Sequence, residues 1–126
     1  MSTIQAANIS DGTDTVGTGY VINGSAKAWV KFDATTVSVE DSYNQTSITD
    51  NGAGDFSLNV TNAFSSTAYV SSGSLGTNTT VTSSSSSIRT FLEATTSARF
   101  GTASIASGVT LADFNNTGFL VIGDLA

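Results

Sequence analysis

Residues 26–32 read AKAWVKF and residues 55–61 read DFSLNVT. In both, apolar side chains fall on every second position. Ala26, Ala28, Val30 and Phe32 alternate with Lys27, Trp29 and Lys31; Phe56, Leu58 and Val60 alternate with Ser57, Asn59 and Thr61. A period of two is the pleat of a β-strand, whereas on a helix it would scatter the apolar groups over every side. The chain must therefore fold as sheet with one face covered. Its composition agrees, because Thr, Val, Ser and Gly are plentiful and long helix-forming side chains are scarce. With no proline present, Gly, Asn and Asp have to supply the turns.

The rest of the chain extends the pattern. TTVSVED puts Val37 and Val39 inward and Ser38 and Glu40 outward, and a turn at residues 33–36 makes it a hairpin with the Trp29 strand. DNGAGD joins strands at residues 47–49 and 55–61, because Asn-Gly tolerates the positive φ angles of a tight hairpin. AYVSSGS, IRTFLEA, SARFGTAS, VTLADFNN and GFLVIGD read as further strands. IRTFLEA carries large apolar groups on both faces, the mark of a strand covered on both sides. The serine run 83–87 reads as a surface loop. About seven to eight short strands, with turns every 8–12 residues, predict an all-β fold, an antiparallel β-sandwich of jelly-roll type. Residues 1–25 are Gly-rich and aperiodic, with at most an edge strand near Tyr20–Asn23, and form an irregular docking arm that presents Ile4, Ile9, Val16 and Tyr20. Residues 26–126 are the sandwich domain. Its core and subunit contacts are assigned to Trp29, Val30, Phe32, Phe56, Leu58, Val60, Phe119, Val121 and Ile122.

Charge and residue usage exclude several kinds of chemistry. The chain has neither His nor Cys, so the commonest general base and the thiolate nucleophile are both missing. Its four basic residues, Lys27, Lys31, Arg89 and Arg99, stand against ten acids, a net charge of −6. That balance argues against nucleic acid and against an anionic membrane surface. The longest apolar run, GFLVIG, is far short of the ~20 residues a spanning helix needs. The first residues, MSTIQAANISDG, have neither the basic start nor the apolar core of a signal peptide. The Gly spacing around Asp50 and Asp55 fits neither a repeat-type nor a helix-loop-helix calcium loop. Glu40 and Asp41, being neighbours on a strand, point to opposite faces and cannot share one sugar. Ser25-x-Lys27 has the residue types of a serine–lysine dyad but no oxyanion loop beside it. No catalytic residue, cofactor or metal is assigned.

Four blocks, NGSAKAWVKFD, VSVEDSYNQTSITDNGAGDFSLNVTNAF, AYVSSGS and LVIGD, run in this order from Asn23 to Asp124. Together they resemble the β-rich domain of tail-fibre-like and other virion structural proteins of tailed bacteriophages, marine phages especially. The shared features are the Trp strand, a DS(F/Y)N turn, the SITDNG hairpin, an alternating strand and a terminal strand ending Gly-Asp. The resemblance implies a structural, non-enzymatic part of the virion, assembled as a homotrimer and touching other virion proteins of the capsid or tail. The short arm suits a small appendage, a tail-fibre knob or a capsid decoration protein, better than a long fibre. The alternative is a carbohydrate-binding module that recognises a host surface glycan, with Trp29, Tyr43 and Tyr69 as stacking groups.

Overall fold

The structure is a computed structural model that describes residues 2–76, 86–105 and 108–126. In chain order these form β1 (Asn8–Ser10), β2 (Thr15–Gly17), α1 (Thr18–Gly24), β3 (Ala28–Asp33), β4 (Ser38–Tyr43), β5 (Gln45–Gly52), β6 (Asp55–Val60), β7 (Val70–Gly76), β8 (Ser86–Ala94), β9 (Ser97–Ser104), β10 (Thr110–Leu111) and β11 (Asn116–Ile122). The protein is all-β apart from the one short helix among the described residues. Every strand pairing is antiparallel. One sheet runs β4-β3-β11-β7. In the second, β5 pairs β6, β6 pairs β9, and β9 also pairs β8 and β10. β1 and β2 form a separate two-stranded hairpin.

The alternation sorts the side chains as its period requires. Ala28, Val30 and Phe32 of β3, Phe119 and Val121 of β11, Phe56 and Leu58 of β6, and Ala98 and Phe100 of β9 are buried in one cluster. Aromatic rings join the two larger sheets there. Phe100 stacks on Phe119 with centroids 4.1 Å apart, and Phe32 meets Phe56 edge-on at 5.3 Å. One glycine lets this core close. Gly73 leaves room for Ile88, whose Cδ1 would lie 2.2 Å from a Cβ there. Outside the core, Gly101 lies under the partly exposed ring of Phe91, 2.3 Å from where a Cβ would sit.

Several expectations need correction. Residues 1–25 are not irregular: they hold β1, β2 and α1, and Tyr20–Asn23 is helical rather than an edge strand. TGYVING has no helical periodicity and no side chain caps its start. Its end is held instead by the Lys27 ammonium, which donates to the Ile22 carbonyl and, at 2.9 Å, to the Ser25 carbonyl. A cation at a helix C-terminus complements the carbonyls left unpaired there. Val39 is 39% exposed because β4 is an edge strand, and the register slips by one residue opposite Lys31–Phe32. β8 is not covered on both faces, since Phe91 is 39% exposed. Of the serine run, residues 83–85 lie outside the described residues, and Ser86 and Ser87 already belong to β8.

The residues assigned to core and subunit contacts divide between the core and the outer strand faces. Val30, Phe32, Phe56, Leu58, Phe119 and Val121 are consumed by the chain's own core, with Val60 packed against it. Trp29 and Ile122 fall on the opposite face of their strands and are partly exposed. The apolar side chains of these strands pack on one another in one cluster, so the inward groups are already covered within the chain.

Candidate functional site

Trp29 and its neighbours on the outer face of the β4-β3-β11-β7 sheet form the most distinctive surface. The register there is a grid. Across the strands, Tyr43, Trp29, Leu120 and Ser72 make one row, and Asp41, Lys31, Gly118 and Ser74 make the next. Trp29 sits where the alternation of AKAWVKF puts it, opposite the buried Val30. Gly118 has no side chain to fill its place in the grid, so the sheet dips between Lys31 and Ser74. A shallow depression of about 490 Å³ opens there, lined by Trp29, Lys31, Ser72, Ser74 and Leu120 among others. That volume lies within the usual range of small-ligand sites. Its single cation is already paired, because Lys31 Nζ meets Glu40 Oε2 from β4.

The outer face of the other sheet is different. Its polar groups bind one another. Asn59 Nδ2 donates to Ser47 Oγ at 3.0 Å and Thr49 Oγ1 at 2.8 Å, and Asn51 Nδ2 donates to Ser57 Oγ at 3.0 Å. Arg99 forks onto Asp55, with Nε donating to Oδ1 at 2.8 Å and Nη2 to Oδ2 at 2.5 Å. Among the described residues, by contrast, the indole N–H of Trp29, the Tyr43 hydroxyl and the hydroxyls of Ser72 and Ser74 have no protein partner.

The Arg99 guanidinium holds the Asp55 carboxyl below the usual carboxylate range, and Asp55 in turn raises Arg99. A carboxyl whose pKa is lowered by folding adds stability above its unfolded value and loses it as pH falls through the folded one. Asp55→Asn is therefore expected to lower the melting temperature at neutral pH. The gap from the native chain should close in strongly acidic solution, which a pH series of thermal melts would read. An equal gap at every pH would mean that the ion pair is not its source.

The remaining candidate groups are engaged in turns and caps. Asp50 Oδ1 accepts the Gly52 N–H at 2.8 Å, so Asp50 and Asp55 serve a turn and an ion pair. Asp41 Oδ1 accepts the N–H of Ser42 at 2.8 Å. Ser25 Oγ does lie 2.7 Å from Lys27 Nζ. The ammonium also donates to two carbonyls, which uses all three of its N–H groups and is the geometry of a cap, not of a base. Among the described residues no three acidic side chains gather as a metal site. The DNGAGD turn is held by its own chain: Asp113 Oδ1 accepts the Gly54 N–H at 2.6 Å, and the Gly54 carbonyl accepts from Thr102 N at 2.9 Å.

Of the three aromatic residues considered for stacking, the structure brings Trp29 and Tyr43 together as cross-strand neighbours and removes the third. Tyr69 is buried against Phe64, and its hydroxyl donates to the Ser97 carbonyl at 3.1 Å. Sequence reasoning missed Ser72, Ser74 and Gly118. Only the strand order, which sets β11 between β3 and β7, makes them neighbours of Trp29. Of the arm residues, Ile4, Ile9, Val16 and Tyr20 are all exposed, joined by Val21 and Ile22 of α1. Comparison with family models, with curated proteins and with solved structures found no match to this chain.

Proposed function

We propose that this chain is a non-enzymatic structural subunit of a tailed-bacteriophage virion. It is a small homotrimeric appendage, a tail-fibre knob or capsid decoration protein, docked on other virion proteins through residues 1–25. In this reading its two larger sheets are the layers of an antiparallel sandwich of jelly-roll type. The order of the AKAW, SITDNGAGD and LVIGD blocks supports it.

The observation that carries the proposal is the arm. It folds into a hairpin and a helix, yet no residue described in it is buried. Ile4 is 94% exposed and Tyr20 80%, with Ile9, Val16, Val21 and Ile22 also open to water. A seven-residue helix with no side-chain cap at its start is marginal by itself. Large apolar groups gathered on so thin an element mark a contact surface. Because the inward strand faces are spent on the core, self-association rests on the arm as well.

Native mass spectrometry tests this. The full chain is expected at three times its 12.8 kDa mass, and a chain lacking residues 2–25 as a monomer that keeps its strand circular dichroism. A monomeric full chain would overturn the trimer. Failure of immunogold labelling to find the protein on purified particles would overturn the virion assignment.

A further inference from the structure

We infer that the outer face of the β4-β3-β11-β7 sheet is a binding site for a neutral sugar ring of gluco configuration, seated on Trp29 over Gly118. The inference is independent of the arm, because it rests on a different surface and is read by a different signal.

Three observations carry it. The first is shape. Gly118 leaves a flat-floored dip beside a wall made by Trp29 and Leu120. A pyranose with all its hydroxyls equatorial presents flat C–H faces. Those slightly positive C–H groups match the negative face of an indole ring. Ser74 Oγ lies 2.7 Å from where a Cβ at position 118 would sit, so the Ser74 hydroxyl hangs over the edge of this floor.

The second is unspent hydrogen bonding. Ser72 and Ser74 line the far rim and Tyr43 extends the wall beyond Trp29. Their hydroxyls and the indole N–H have no partner among the described residues. On the outer face of the second sheet, the side chains of Ser47, Thr49, Asn51, Ser57 and Asn59 instead bond to one another. A rim of free hydroxyls around an apolar floor suits a ligand that is apolar on its face and polar at its edge.

The third is charge. Lys31 is neutralised by Glu40, Asp41 stands beside it, and the chain carries a net charge of −6. The site therefore repels phosphate, sulfate and uronic acid and leaves neutral sugars favoured. A second copy of the chain is a poorer occupant. The apolar part of the face is little more than Trp29, Leu120, Ile122 and Val70, well short of the ~800 Å² per partner that a stable interface buries.

Trp29 is the only tryptophan, so the native protein carries its own reporter. Titration with cellotetraose and chitotetraose is expected to blue-shift its emission and to saturate, with a Kd of about 1 mM. Polygalacturonate serves as the anionic control and should give no saturable shift. In saturation-transfer NMR, Trp29→Ala is expected to weaken binding about tenfold, near the upper end of what an aromatic contact adds. Tyr43→Ala, at a residue 57% exposed and so harmless to folding, should weaken it severalfold. No saturable shift with either oligosaccharide overturns the inference. So does unchanged affinity in Tyr43→Ala and in a Trp29→Ala protein that keeps its strand circular dichroism. An emission shift that follows protein concentration without sugar, together with a rising mass, would give the face to a second copy and overturn it as well.

Discussion

Phe100→Ala is expected to destabilise the fold by about 3–5 kcal/mol, the range for emptying a fully buried phenylalanine site. Phe100 is 0% exposed and lies where the two larger sheets meet. Its ring stacks on Phe119 and contacts Phe32 and Phe56, each with centroids 6.1 Å away. Three of its ring neighbours are aromatic and held by strands paired on both sides, so the site collapses poorly. A domain of this size has about 5–15 kcal/mol of stability, so the variant loses a large fraction of it. Thermal unfolding should show a melting temperature lower by roughly 10–20 °C. A shift of only a few degrees would mean that the rings around Phe100 repack, and that the stack is not the joint between the sheets.

Gly54→Ala is expected to cost at least as much, and Gly52→Ala far less, although both glycines lie in the same hairpin. Gly54 has φ +64 and its carbonyl and N–H are tied to Thr102 and Asp113. A Cβ on it would fall 2.3 Å from the Thr102 carbonyl oxygen and 2.5 Å from Ala112 N. Both are backbone atoms, fixed by the hydrogen bond that Ala112 N donates to Thr102 O at 3.1 Å, so neither can swing aside. Gly52 also has positive φ, +126, but nothing lies within 4 Å of its would-be Cβ. Its replacement costs backbone strain alone, about 1–3 kcal/mol. Denaturant titration of the two variants side by side separates strain from collision. Equal losses would show that the β10 segment moves away from the turn freely.

Much of the fold could be read from the chain because period-two patterning is a local signal. Ala28, Val30, Phe32, Phe56 and Leu58 were identifiable as an inner face from AKAWVKF and DFSLNV, and all are buried. The β5–β6 hairpin was legible from DNGAGD, but its turn is Ala53-Gly54, and Asn51 lies within β5 without the positive φ expected of it. The arm was legible only in part. Its lack of a core followed from its composition, but α1 did not, because the Lys27 ammonium that holds its end lies in the link beyond it. GFLVIGD is an apolar run with no polar position to mark an outer face, yet β11 alternates: Phe119 and Val121 face the core, while Leu120 and Ile122 are only partly covered.

The candidate site divides the same way. The chain gave Trp29 between two lysines and Tyr43 fourteen positions on, but not that they are neighbours across a hairpin with a slipped register. It could not give Ser72, Ser74 or Gly118, which reach the site by strand pairing between distant segments.

By itself, then, the sequence determined which side chains face inward and which outward, because that depends only on the pleat and on the cost of leaving apolar groups in water. The tertiary structure alone decided what those faces meet. It placed Phe100 on Phe119, turned the inward strand faces into a private core, and locked SITDNGAGD onto Thr102 and Asp113 instead of exposing it. It also set Gly118 beside Trp29. Those outcomes follow from the order in which strands pair, and that order is set by the packing of the whole chain and not by any one stretch of it.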